Sequence, residues 1–173
     1  MDEKLKLGGV YTARCYDKDG NLKWEDTIHN LVTDVGANLA LDTLMAGSSY
    51  SVTGPFMGLI SSVSYSAIAA ADTGASHSGW LEAGGSHAPT YTGTRKTAVF
   101  ASAASRAKAL TAALAFAITG SGTVKGAFLV LGTGAVNTKD DTGGTLYSAG
   151  LFAGGDKIVG SGDTINVSYT ASG

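Results

Sequence analysis

Apolar residues recur at every second position near the start of the chain. Leu5, Leu7, Gly9, Tyr11, Ala13 and Cys15 occupy one set of positions, and Lys4, Lys6, Thr12 and Arg14 fill most of the other. A period of two places one set on one face of an extended backbone, so this stretch reads as a half-buried β-strand. Asp17-Lys18-Asp19-Gly20 follows, and an Asp-Gly pair favours the positive φ of a tight turn. Leu22, Trp24 and Ile28 then resume the alternation against Lys23, Glu25 and Thr27. Residues 5–28 are therefore expected to form a β-hairpin.

The period changes after His29-Asn30. Thr33 or Asp34 can cap a helix that runs to about Met45, and Gly47 can end it. Leu31, Val35 and Leu39 lie on one side of that helix; Ala37, Leu41, Leu44 and Met45 lie on the other. Two apolar sides imply a helix held between partners. Pro55 to Ile60 reads as a short buried strand.

From 61 to 94 the patterning breaks down into Gly, Ser, Ala and Thr, with room for a helical turn at 68–71. A loop of this length in a compact domain normally makes contacts or carries function. It holds Trp80 and Tyr91, and large aromatics anchor protein interfaces. Further strands are expected at 98–100, 114–118, 124–131 and 165–169, with Gly/Asp turns at 132–145, 154–156 and 160–163. The stretch from Val124 to Leu131 is a fuller apolar run, consistent with a central strand. Residues 104–113 fit a helix by propensity but link two strand-like runs, so they stay ambiguous.

Short strands separated by glycine-rich turns, with one helix, specify a mainly β fold. The expectation is an antiparallel β-sandwich, jelly-roll-like, with one short α-helix and a long Gly/Ser-rich loop. The organisation is a single β domain over 1–173. It comprises an N-terminal arm and hairpin (1–30), a helix (33–46), a contact loop (61–94) and C-terminal strands (95–173).

Composition narrows the function classes. Charged residues are 15% of the 173 and the net charge is -2. The Lys and Arg residues are scattered, which argues against nucleic-acid binding, since that needs concentrated positive charge. No apolar run reaches the roughly 18 residues of a membrane span. The start, Met1-Asp2-Glu3-Lys4, lacks the basic-then-apolar pattern of a signal peptide, which points to folding in a cytoplasm. The 25 glycines sit between apolar runs, and 44% of residues are hydrophobic, so the chain has enough apolar surface to fold. The lone Cys15 falls on the apolar face of its strand and reads as a buried, inert thiol.

Candidate chemistry is sparse. Asp17-Lys-Asp-Gly-Asn21 resembles part of a calcium loop, but such a loop needs a third ligand and a bidentate Glu at its twelfth position. Position 28 is Ile28 and the flanks are strands, so a hairpin turn is the better reading. His77, Glu82 and His87 lack the tight spacing of metal ligands. Asp140, Asp141, Asp156 and Asp163 lie in or before glycine turns, where carboxylates cap backbone amides. No nucleophile elbow or phosphate loop is present. No catalytic residue, cofactor or metal is expected, and an enzyme is the weakest reading.

Three segments carry a resemblance: Cys15 to Thr33 (CYDKDGNLKWEDTIHNLVT), Asp72 to Ala83 (DTGASHSGWLEA), and Leu146 to Tyr169 (LYSAGLFAGGDKIVGSGDTINVSY). They resemble a family of small virion proteins of tailed bacteriophages. That resemblance implies a capsid decoration (cement) protein, assembled in the bacterial cytoplasm and resident in the virion. The implied partners are the major capsid protein and further copies of the chain, as a trimer or a lattice-bound oligomer. It transfers no functional residue. A tail, neck or fibre adaptor would share this composition, and a carbohydrate-binding sandwich would need an exposed aromatic face. The residues expected to make contacts are Leu5 and Leu7 of the arm, able to add a strand to a neighbouring sheet, and Trp80 and Tyr91 of the long loop.

Overall fold

The computed structural model describes residues 6–45 and 53–173. The elements run β1 (Gly8–Tyr16), β2 (Leu22–His29), β3 (Leu31–Val32), α1 (Asp34–Met45), β4 (Phe56–Ser61), β5 (Thr90–Tyr91) and β6 (Lys96–Thr97). They continue with β7 (Ala107–Ala109), β8 (Leu114–Gly120), β9 (Gly122–Leu131), β10 (Thr145–Leu151), β11 (Lys157–Val159) and β12 (Thr164–Ser172). The first sheet has the order β2-β1-β12-β8-β5, with β7 added on β12; the second has the order β3-β10-β9-β4-β6, with β11 added on β9. Every pairing is antiparallel, and the two sheets make a β-sandwich.

The N-terminal hairpin forms as its alternation dictates. Tyr11, Ala13 and Cys15 are buried, while Arg14 faces water and pairs with Glu25 across the strands. The turn closes on itself. One oxygen of Asp17 accepts the amides of Asp19 and Asn21 at 2.9 and 2.8 Å, and Gly20 takes φ +85°. The Asn21 side-chain amide, which donates to both Asp17 oxygens, does most to hold the Asp17 carboxyl below its ordinary range, and the two backbone amides add to it.

Between the sheets lies one apolar core. Tyr11, Phe116, Ile165 and Tyr169 from the first sheet meet Met57, Leu59, Val124 and Leu129 from the second. Two hydrogen bonds satisfy polar atoms within this packing: Tyr11 Oη with Ser148 Oγ at 2.9 Å, and Asn30 Nδ2 donating to Tyr169 Oη at 3.0 Å.

A second core lies on the other face of the second sheet. Along β9, Ala127 and Leu129 belong to the first core and Phe128 and Val130 to the second. Trp80 and Ala135 close over Phe128, Val130, Ile60 and Leu146, with Tyr65 and Ile68 packed alongside. The long loop is therefore a third layer. A sheet buried on both faces needs consecutive apolar residues, which is why Ala127 to Val130 does not alternate with polar ones.

Several expectations shift in detail. The strand expected at 98–100 is β6, two residues earlier, and Phe100 makes only an isolated bridge to Leu110. Residues 68–71 hold a turn at Ala70-Ala71 and no helix. The ambiguous 104–113 becomes a tight turn through Ser105 and Arg106, both at positive φ, leading into β7. Gly47, the expected end of the helix, lies outside the described residues. Among the described residues no helix is long and apolar enough to cross a membrane.

Candidate functional site

Two places gather side chains that could do more than fill space. The first is polar and lies beneath the long loop. Glu82 and Arg95 stand on either side of β5, and their side chains are each only 4% exposed. Arg95 Nη2 donates to Glu82 Oε2 at 2.7 Å and Nε to Oε1 at 3.0 Å. The remaining capacity of the pair is spent on the loop after β9: Asp140 N donates to Glu82 Oε2 at 2.8 Å, and Arg95 Nη2 donates to the Asp141 carbonyl at 2.7 Å. Lys139 ties the same loop to the carbonyls of Gly84 and Tyr91 at 2.8 and 2.6 Å. A buried carboxylate whose oxygens are filled by a guanidinium and an amide is not a free base. This cluster joins two loops.

Above it is a cleft of about 230 Å³ lined by His77, Ser86, His87, Asp140, Asp141 and Thr142. His77 stacks on Trp80 with ring centroids 4.0 Å apart, and its Nδ1 lies 3.0 Å from the Trp80 carbonyl oxygen. Trp80 Nε1 donates to Asp72 Oδ2 at 3.0 Å. His77, Glu82 and His87 thus share one cleft, yet no group of three His, Cys, Asp or Glu among the described residues is placed to hold a metal.

The second place is apolar. α1 is set down on β10 by two residues. Thr33 Oγ1 accepts the amide of Gly36 at 3.1 Å, capping the helix, and donates to the Leu146 carbonyl. Gly36 lies against the backbone of Tyr147, where any side chain would collide with the Tyr147 carbonyl. The helix meets the sheet on this side alone. Leu41, Leu44 and Met45 on its other side are 49%, 69% and 77% exposed. At the foot of the helix, Leu39, Thr43, Leu44, Leu131 and Tyr147 line an apolar groove of about 480 Å³. Leu131 and Tyr147 also line a neighbouring groove of about 300 Å³, which runs past Pro55, Phe100 and Tyr169 to Lys108.

The four expected contact residues are redistributed by the fold. Leu5 lies outside the described residues, and Leu7 is half-buried just before β1. Trp80 and Tyr91 are 1% and 3% exposed. That corrects their assignment as interface anchors: Trp80 seals the second core, and Tyr91 packs edge-on to Phe116 at 5.0 Å in the first. Cys15 is buried, and burial pushes its thiol up to about 11. Sequence reasoning missed the exposed face of α1 as a site, although the signal was present in its two apolar sides. It also missed the Glu82–Arg95 pair, which no local spacing announces.

No protein-family model matches the chain, and no curated protein or solved structure is significantly similar to it.

Proposed function

We propose that this chain is a structural protein of a bacteriophage particle, a decoration protein that binds the outside of the major capsid shell and stabilises it. The observation that carries the reading is the contrast between the two candidate places. The Glu82–Arg95 pair spends its hydrogen-bonding groups on holding the fold. Three large exposed apolar side chains, Leu41, Leu44 and Met45, cluster on one helix beside an open apolar groove, whereas Leu22, Val99 and Ile158 are exposed elsewhere. Such a surface is built for contact with protein. The three segments that resemble small virion proteins supply the kind of particle.

Mechanically, a sandwich with both cores filled is a stiff unit, and many such units bound to a repeated surface add small free energies in parallel. The test is to purify particles of a phage that encodes this chain and to compare them with particles that lack it. The complete particles contain the chain in many copies and release DNA at a higher temperature. Equal release temperatures would overturn the stabilising role. Localisation to the tail or neck alone would replace it with the adaptor reading.

A further inference from the structure

We infer that the exposed face of α1 is a ridge that seats in the apolar groove of a second copy of this chain. The inference rests on the reading above in one respect: a many-copy component meets copies of itself.

The ridge follows from helix geometry. Ala37, Leu41, Leu44 and Met45 fall within one arc of about 100° around the axis. Leu44 belongs to both surfaces, lining the groove while being 69% exposed. A surface that holds a convex and a concave apolar element side by side is complementary to itself, so each ridge can enter the other copy's groove. Helix-in-groove docking is a recurrent mode of recognition.

Charge selects the occupant. α1 carries Asp34 and Asp42 and no Lys or Arg. The neighbouring groove, which shares Leu131 and Tyr147 with the groove under the helix, ends at exposed Lys108, with exposed Arg106 two residues before it. None of these four takes part in an ion pair among the described residues. A second copy thus presents an acidic helix to a basic groove end. An anionic lipid surface or a nucleic acid would be repelled by the same helix. Strand addition is a weaker route. β2 is covered where Ala153 donates to the Thr27 carbonyl at 2.8 Å and Phe152 bridges Ile28, and β5 and β6 are two residues each.

The experiment is sedimentation of the full chain over a range of concentrations, with four variants. The unaltered chain associates. Leu44→Asp is monomeric. Asp42→Lys and Lys108→Asp each weaken association about tenfold, and the two together restore it, because a rim charge pair sets complementarity. All of these positions are exposed, so circular dichroism stays unchanged, and so does the melting temperature at concentrations where the chain is dissociated. A chain that is monomeric throughout, a Leu44→Asp chain that still associates, or a double exchange no better than either single one would each overturn the contact. A monomeric chain still present in particles in many copies would sink this contact and leave the virion reading standing. An associating chain absent from particles would do the reverse.

Discussion

Asp26 shows how a single carboxylate is used in this protein. Its Oδ2 accepts the Lys157 ammonium at 2.6 Å and the Gly154 amide at 2.9 Å, and its Oδ1 lies 2.7 Å from the Thr27 amide. Burial alone would raise its pKa, but the Lys157 bond and the two amides outweigh it, so the group lies below the ordinary range. A folded-state pKa below the unfolded value contributes stability above the unfolded value of about 3.9, and that stability is lost as pH falls below it. The free energy of unfolding should therefore decline as pH drops from about 5 to 2. In Asp26→Asn the decline should be shallower, as read by urea unfolding at a series of pH values. An equal slope in the variant would show that the acid sensitivity comes from elsewhere.

At the level of elements, α1 depends on close approach more than on helix propensity. Gly36 and Asp34 are poor helix formers, yet the helix forms because Thr33 caps it and Gly36 lets its backbone reach β10. Gly36→Ala would improve propensity by about 1 kcal/mol in an isolated helix. Here the added methyl meets the Tyr147 backbone, which cannot turn aside. The expected result is net destabilisation of roughly 1–3 kcal/mol from overpacking, measured by thermal unfolding. A variant of raised stability would mean that the helix does not sit this close to the sheet.

For the whole molecule, the consequential feature is the third layer. Residues 62–89 form no strand or helix beyond the bridge of Glu82 to Ile60, yet they are held by Trp80, by Asp72 and by the Glu82–Arg95 pair. Trp80→Ala would open a cavity over Phe128 and leave Asp72 Oδ2 without the indole donor. It should cost about 3–5 kcal/mol in denaturant unfolding and leave the association state unchanged below the transition. Had Trp80 been an interface anchor, the same change would weaken association and spare stability. The two readouts together separate the roles.

The hairpin at 5–28, the helix after Thr33, the central strand at 124–131 and the last strand were legible in the sequence. Each is announced by a local signal: a period of two, a cap, a largely apolar run or an Asp-Gly turn. β10 was not marked as a strand, although its segment is present in Leu146 to Tyr169. Its glycine, serine and alanine give it little patterning, and its place is set by pairing with β9 and β3. The role of the 61–94 loop was decided by tertiary structure for the same reason. Aromatic residues in a glycine-rich stretch look alike whether they face a partner or their own sheet. Only the second apolar face of β9 and β4, which local pattern cannot distinguish from a single buried face, draws Trp80 inward. The two apolar sides of α1 were written in the residues. Which side the chain itself would cover was settled by Gly36, where the helix can come close enough to lie on Tyr147, and that left Leu41, Leu44 and Met45 outside.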